Sequence, residues 1–176
     1  MGLVQGLELT DLSAVCATEL LAFSCGNDEL DHWLHDQSAK DCSCGLCRAY
    51  ACWLDGSLAG FFSLSPCELS PVDVSNSMCG GIHRLPIPAY IVGRLGTSVG
   101  MQGRGVGTTM LLHAMRLACE ASSVAGGRLL YIEAKSHAVA NWYAHNGFTP
   151  FPGEPLRLVM KLSKARRISG QAFSEA

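Results

Sequence analysis

The sequence has few charges, and those it has nearly balance. Of its 176 residues, 13 are Lys or Arg and 15 are Asp or Glu, so the formal net charge is -2 at pH 7. So small a charge gives no overall electrostatic attraction for nucleic acid. Disorder is excluded as well, because 48% of the residues are hydrophobic and can bury a substantial core. A single domain is the usual arrangement at this length.

Long apolar runs and targeting patterns are also missing. No stretch of about eighteen residues is apolar enough to span a membrane. No basic region followed by an apolar run indicates a secretory signal, and Gly6 stands where a myristoylation signal needs Ser or Thr. The nine cysteines are an odd number spread along the chain, unlike a small disulfide scaffold. We therefore expect a reduced, cytoplasmic protein with no membrane segment.

Periodicity and turn signals predict one α/β domain over residues 1–162 and a polar C-terminal tail over 163–176. Thr10 or Asp11 can cap a first helix, Ser136 can cap a helix that runs to His145, and Asp55-Gly56 is suited to a tight hairpin turn. A long connection is expected at 66–86, and loops of that length are usually functional or mobile. The predicted strands are 3–9, 49–54, 58–64, 87–97, 129–134 and 156–162, and the predicted helices begin at 10 or 11, 27, 105 and 136.

The strongest motif is Gln102-Gly103-Arg104-Gly105-Val106-Gly107, between a predicted strand and a predicted helix. Its glycines allow successive N–H groups to form an anion-binding nest, and the following helix adds the positive end of its dipole. A pyrophosphate suits such a loop. Two other phosphate loops do not fit, because Thr108 stands where a Rossmann fingerprint needs Gly and follows Gly107 without a Walker lysine. An ordinary glycine-rich turn is the structural alternative.

The same motif resembles the Q/R-x-x-G-x-G/A motif of the GNAT superfamily of N-acetyltransferases, through Gln102, Gly105 and Gly107. Downstream, the segment 140–148 (ANWYAHNGF) resembles the second GNAT signature, an aromatic-Tyr pair followed by Gly-Phe. The resemblance implies an α/β GNAT fold, a mixed β-sheet flanked by helices, with acetyl-CoA as co-substrate. It assigns cofactor contacts to Leu95, Gly96, Thr97, Gln102, Gly103, Arg104, Gly105, Val106, Gly107, Thr108 and Asn141.

Further motifs resemble the GNAT toxins of toxin–antitoxin pairs and extend the similarity over about residues 7 to 162. They are Phe23-Ser24-Cys25-Gly26, Leu30-Asp31-x-Trp33-Leu34, Arg48-Ala49-Tyr50 and Gly93-Arg94-Leu95. Those toxins acetylate the free amino group of aminoacyl-tRNA and block translation. The resemblance implies that activity here, with aminoacyl-tRNA and a ribbon-helix-helix antitoxin as partners and a homodimer as a candidate state.

The slightly acidic chain departs from the basic tRNA surface that is usual in these toxins. Phosphate contacts would then come from Arg48, Arg84, Arg94 or the basic residues of 161–167. Two alternatives stay open. One is an acetyltransferase for a small amine or a protein N-terminus, and the other is a non-catalytic CoA-binding protein with the GNAT fold.

Tyr143 is the predicted catalytic residue. The resemblance assigns to the Tyr of the aromatic pair the protonation of the departing CoA thiolate, and a buried structural Tyr is the alternative. Asn141 is expected to bond the pantetheine arm or to make a simple contact at the start of its helix. No general base is evident, although Glu133 could act through a water or be a surface carboxylate. This favours an α-amino acceptor, which is roughly 10% neutral at pH 7, whereas a lysine is only about 0.04% neutral.

A cysteine-rich segment contains Cys42, Cys44 and Cys47. These thiols could hold zinc, with Cys52, His32 or His35 as a fourth ligand. A second Cys-x-x-Cys pair is missing, so we expect free thiols and no bound metal.

Overall fold

Strands and helices alternate along most of the part of the chain that the computed structural model describes, residues 3–81 and 83–175. The strands hydrogen bond in the order β1-β2-β3-β4-β5-β7-β6 and form a mixed seven-stranded sheet, which confirms the predicted fold class. The elements are β1 (Glu8–Asp11), α1 (Ala17–Ala22), α2 (Asp28–His32), α3 (Ser38–Ser43), β2 (Arg48–Leu54), β3 (Ser57–Leu69), α4 (Asn76–Cys79), β4 (Ile87–Thr97), α5 (Val106–Ala125), β5 (Leu129–Glu133), α6 (His137–His145), β6 (Thr149–Phe151), β7 (Glu154–Lys161) and α7 (Leu162–Ser174).

One of two compact units comprises Gly93–Ala114 with the described residues up to Ser65 and from Ala172 onward. In it, β1, β2 and β3 pair antiparallel. Asp55 (φ 51°) and Gly56 (φ 75°) are both left-handed in the turn between β2 and β3, as predicted for a tight hairpin. The core of this unit consists of Leu12, Val15, Phe23, Cys25, Trp33, Leu34, Ala49, Ala51 and Phe61.

The second unit comprises Pro66–Val92 and Met115–Gln171. In this unit β4 pairs parallel with β5, and β7 pairs antiparallel with both β5 and β6. A parallel pair needs a crossover, and α5 connects the two strands. The core of this unit consists of Leu69, Val74, Cys79, Ile87, Ala89, Leu129, Tyr131, Phe151 and Val159.

The predicted cap at Ser136 and the predicted helix start at Asn27 are both confirmed. The side chain of Asn27 accepts a hydrogen bond from the N–H of Leu30 at 3.1 Å, ahead of α2. The Ser136 hydroxyl oxygen accepts one from the N–H of Val139 at 3.3 Å, ahead of α6. Each bond satisfies a backbone donor that the first helical turn leaves without a partner.

The N-terminal elements are shorter than predicted. The strand predicted at 3–9 begins later in the structure, as β1 at Glu8–Asp11. It does not start earlier because Gly6 adopts φ 75° and interrupts the extended chain. The helix expected from 10 or 11 onward is split. Asp11 caps a 3₁₀ turn at Leu12–Ala14, and α1 follows at Ala17–Ala22.

The C-terminal region also differs from its prediction. The segment expected to be a polar tail, 163–176, is occupied by α7 over its described residues up to Ser174, with Leu162, Ala165 and Ser169 buried. These three lie on one helical face, but two of them are small or polar and give little hydrophobic signal. The strand β6 was not predicted, because prolines at 150 and 152 are typical of a loop.

The expected connection at 66–86 is partly ordered into regular structure. β3 runs on to Leu69, and the short helix α4 occupies Asn76–Cys79. No helix in the described ranges is both long and apolar enough to cross a bilayer.

Candidate functional site

The predicted pyrophosphate loop lies between the end of β4 and the start of α5. Gly103 and Gly105 adopt left-handed φ values of 75° and 83°. The first helical hydrogen bond of α5 runs from the N–H of Thr109 to the carbonyl of Gly105, so the N–H groups just before Thr109 lie ahead of the helical ladder. Together with the positive end of a 20-residue helix, these donors suit a phosphate group. Arg104 is exposed on the same loop.

The Gln102 side chain stabilises this loop by hydrogen bonding to backbone carbonyls. Its side-chain amide donates to the carbonyl of Cys25 at 2.8 Å and to that of Thr97 at 3.2 Å. The N–H of Val99 donates to the carbonyl of Ser24 at 3.0 Å. The Gln of the motif therefore holds the loop against the Phe23-Ser24-Cys25-Gly26 segment, a positioning role that was not recognised in the sequence.

Asp31 in turn fixes that segment. Its carboxylate accepts from the Ser24 hydroxyl at 2.6 Å and from the N–H of Cys25 at 2.9 Å. Although burial acts to raise the pKa of Asp31, these hydrogen bonds outweigh it and the pKa is lowered. The segments 23–26 and 30–34 are thus joined to each other, and together they support the loop.

The end of β4 packs closely against β3. A Cβ at Gly60 would lie 2.6 Å from the carbonyl oxygen of Gly96, and a Cβ at Gly96 would lie 2.8 Å from the Phe61 ring. Leu95 and Thr97, on either side of Gly96, are half-buried. The strand that leads into the loop is therefore held without room for larger side chains at these two positions.

Tyr143 lies on α6, on the side of the helix that faces the core. It is 6% exposed and packs edge-on against Trp142 and Phe148, at ring-centroid distances of 4.8 and 5.7 Å. Burial raises the pKa of Tyr143, so the phenol stays protonated at neutral pH. Its hydroxyl makes no hydrogen bond to another described residue of its unit.

Asn141 and Tyr143 do not share a helical face. They are two positions apart, and Asn141 is exposed whereas Tyr143 is buried. Asn146, at the C-cap, is 5% exposed, and its Oδ1 is buried and receives no hydrogen bond from the residues that the structure describes. The N–H of a bound amide could supply that donor. The sequence motif that ends in Gly147 and Phe148 gave no indication that Asn146 could bind a ligand.

The cysteine trio lies at the end of α3 and in the connection to β2, with Cys42 in the last turn of α3 and Cys44 and Cys47 after it. The sulfur atoms of Cys42 and Cys47 are 3.8 Å apart, and Cys44 is exposed. Burial, followed by the neighbouring Cys42 thiol, raises the pKa of Cys47. No group of three or more His, Cys, Asp or Glu side chains is arranged to hold a metal ion anywhere in residues 3–81 and 83–175.

Comparison with known proteins relates these features to a family. No protein-family model matches the chain. It is 26% identical over 154 residues to the tRNA-acetylating toxin of Mycobacterium tuberculosis (strain ATCC 25618 / H37Rv), covering 88% of this chain and 92% of that protein. It superimposes on AtaT complexed with acetyl-methionyl-tRNAfMet with a TM-score of 0.82, 24% identity and coverage of 92% and 98% of the two chains.

The chain has the GNAT fold. A second AtaT structure agrees, with a TM-score of 0.75, 21% identity and coverage of 92% and 97% of the two chains. That structure is of a variant toxin with a tyrosine replaced by phenylalanine, bound to the C-terminus of the antitoxin AtaR and to acetyl-CoA. The resemblance to GNAT toxins is thereby confirmed.

Proposed function

We propose that this GNAT-fold chain is an acetyl-CoA-dependent N-acetyltransferase that acetylates the α-amino group of aminoacyl-tRNA and so acts as a toxin. The observation that carries the proposal is the loop at 102–108, where two left-handed glycines precede a long helix and Gln102 braces the turn. The similarity to a tRNA-acetylating toxin over most of both chains supports the choice of acceptor.

The residues predicted from the sequence take two roles in this proposal. Leu95, Gly96 and Thr97 contact the pantetheine arm through the strand backbone, and Asn141 adds a side-chain contact. The loop residues Gln102, Gly103, Arg104, Gly105, Val106, Gly107 and Thr108 hold or position the pyrophosphate. Left-handed glycine and first-turn N–H groups fit that anion, so the loop needs no metal ion to bind it.

Tyr143 supplies the proton for the leaving group. The neutral amine attacks the thioester carbonyl carbon, a C–N bond forms, the C–S bond breaks and the amine loses a proton to solvent. The thiolate then takes its proton from the Tyr143 hydroxyl, and a proton from solvent restores the phenol. An α-amino group near pKa 8 is roughly 10% neutral at pH 7, so this acceptor needs no strong general base.

The proposed setting is the cytoplasm, where acetyl-CoA and charged tRNA are both present and the cysteines stay reduced. An antitoxin is the proposed partner, since the antitoxin AtaR binds AtaT. A ribbon-helix-helix protein encoded beside this chain would support that pairing, and a homodimer is the proposed assembly.

The decisive experiment is label transfer. The protein is incubated with labelled acetyl-CoA and total aminoacyl-tRNA, beside uncharged tRNA, free amino acids and small amines. We expect label on charged tRNA alone. Label on small amines but never on charged tRNA would contradict the toxin proposal and support the small-amine alternative. Acetyl-CoA binding without transfer to any amine would indicate a non-catalytic protein.

A further inference from the structure

A chain of three hydrogen-bonded side chains connects β7 to the end of β5 within the second unit. The Arg157 Nε donates to the Tyr131 hydroxyl oxygen at 2.8 Å, and the Tyr131 hydroxyl donates to Glu133 Oε1 at 2.6 Å. Because a guanidinium can only donate, the phenolic proton must point to the carboxylate. The direction of both bonds is therefore fixed.

Arg157 is itself firmly held. It donates to both carboxylate oxygens of Glu154 at 3.0 and 3.1 Å, and Asp73 lies 3.9 Å away. Its guanidinium stacks over the Phe151 ring at 4.6 Å. With Glu154 and Asp73 as partners, Arg157 does not need the charge of Glu133 for its own neutralisation.

Glu133 is consequently fixed in position but still able to bind a cation. It is exposed, and only its Oε1 is engaged by the other described residues of its unit. Burial raises the pKa of Tyr131 to about 12, so its phenol keeps the proton that holds Oε1 in place. The second carboxylate oxygen takes no hydrogen bond from that unit.

The position of Glu133 along the strand suits ligand binding. The parallel pairing of β4 with β5 ends at Ile91 and Tyr131, so Glu133 lies beyond the last pair, at the carboxyl end of β5. In α/β folds, ligands bind outside the carboxyl ends of parallel strands.

The two faces of β5 carry different groups. Tyr131 and Glu133 point to one face of β5 and Leu130 points to the other, together with its antiparallel partner Met160. A Cβ at Gly147, just after α6, would lie 3.3 Å from the Met160 side chain. The helix that carries Tyr143 thus covers the face opposite to Glu133.

We propose that the Glu133 carboxylate binds the α-ammonium group of the aminoacyl acceptor, with Tyr131 and Arg157 as positioning residues. This inference rests on the proposed function and deepens it. An ammonium group offers three donors to a carboxylate oxygen, whereas a hydroxyl or an acylated nitrogen offers one uncharged donor. The contact therefore selects a charged primary amine when the acceptor binds, and the ammonium gives up one proton to solvent before the neutral amine attacks the thioester.

The test compares two tRNA ligands that differ only at this group, an aminoacyl-tRNA and the matching hydroxyacyl-tRNA, the latter used as a competitive inhibitor. The wild-type protein should bind the aminoacyl form at least about tenfold more tightly. Glu133→Gln keeps an oxygen for Tyr131 but removes the charge, so this preference should fall to about threefold or less. The affinity for acetyl-CoA should not change.

Two further variants complete the design. Glu68→Gln changes an exposed acid on β3 and should keep the wild-type preference. Tyr131→Phe removes the phenol that orients Glu133 and should lower the preference to an intermediate value without changing acetyl-CoA affinity. An unchanged preference in a folded Glu133→Gln variant would overturn the inference even if charged tRNA is acetylated. If the wild type acetylates only small amines, the proposed function fails, and the same amine-against-hydroxyl comparison on that acceptor still decides the role of Glu133.

Discussion

At the scale of single residues, the role of the Tyr143 hydroxyl can be tested separately from the packing of its ring. The ring is packed between Trp142 and Phe148, and these contacts involve carbon atoms that phenylalanine shares. The hydroxyl makes no hydrogen bond to another described residue of its unit, so its removal leaves no protein donor or acceptor without a partner. A substitution here therefore reports on chemistry rather than on folding.

We predict that Tyr143→Phe lowers turnover by a factor of about 10² to 10⁴, the usual contribution of a general acid. Calorimetric affinity for acetyl-CoA should be retained, and growth arrest on expression without an antitoxin should be relieved. Tyr90→Phe is the matched control, because the Tyr90 hydroxyl donates to the Gly126 carbonyl at 2.8 Å and its loss should affect melting temperature but not turnover. Turnover of Tyr143→Phe within about threefold of wild type would assign Tyr143 to the structural core.

The cysteine trio provides a second prediction at this scale. A zinc ligand must be a thiolate, and burial raises the pKa of Cys47 and so opposes its ionisation. We predict that protein purified without chelator contains no stoichiometric zinc by elemental analysis, and that Cys42→Ser leaves the melting temperature nearly unchanged. One zinc per chain, lost in that variant, would instead establish a structural metal site.

At the scale of elements, the sequence predicts best where one side chain decides local geometry. Asn27, Ser136 and the Asp55-Gly56 turn each act on backbone groups within three residues, and all three are confirmed. The π-helical turn at Trp33–Gln37 and the short strand β6, which pairs with the adjacent strand β7, were not predicted from the sequence. Within the site, the loop glycines are local features, whereas the hydrogen bond from Gln102 to Cys25 joins segments far apart in sequence.

The loop at the start of α5 gives a direct prediction. Gly107 is in the first turn of that helix, where a carboxylate would repel the proposed pyrophosphate because the two carry like charge. We predict that Gly107→Glu weakens acetyl-CoA binding at least about tenfold, which corresponds to about 1.4 kcal/mol. Gly100→Glu adds the same charge at an exposed position with open space around it and should bind normally. Unchanged calorimetric affinity in a folded Gly107→Glu variant would contradict the assignment of this loop.

The Asp31 side chain, which holds the segment 23–26, gives another prediction. Asp31→Asn weakens the bonds to Ser24 and Cys25, so we predict a several-fold loss of acetyl-CoA affinity and a lower melting temperature. The pKa of Asp31 is lowered in the folded state, so its contribution to stability is present above the unfolded pKa of about 3.9 and is lost as pH falls through the folded value. Wild type should therefore lose more stability than Asp31→Asn between pH 5 and pH 2, measured by denaturant unfolding. Parallel pH curves for the two proteins would show that Asp31 does not brace the segment.

At the scale of the whole molecule, the net charge of -2 does not show which basic side chains are engaged by other residues and which are exposed. Several basic side chains are already committed within the protein. Arg94 stacks over Trp33 at 5.4 Å, Arg48 lies 3.6 Å from Asp11, and Lys164 donates to the Gly147 carbonyl at 2.6 Å. Arg167, by contrast, is exposed on α7, which is a helix rather than the expected tail and so presents its charge at a defined position. A weakly acidic protein can therefore still offer a local basic surface to a phosphate backbone.

We predict that binding to tRNA weakens steeply with salt and that α7 contributes to this dependence. Each phosphate contact releases a counterion, so Arg167→Gln should reduce the slope of log affinity against log salt concentration by about one. Arg116→Gln is the control, because Glu120 lies 3.7 Å from the Arg116 guanidinium and balances its charge, so the slope should not change. Filter binding of one uncharged tRNA across a salt series measures both slopes without any acetyl transfer. Equal slopes for wild type and Arg167→Gln would exclude Arg167 from the tRNA surface and leave other exposed cations, such as Arg84, as the next to be tested.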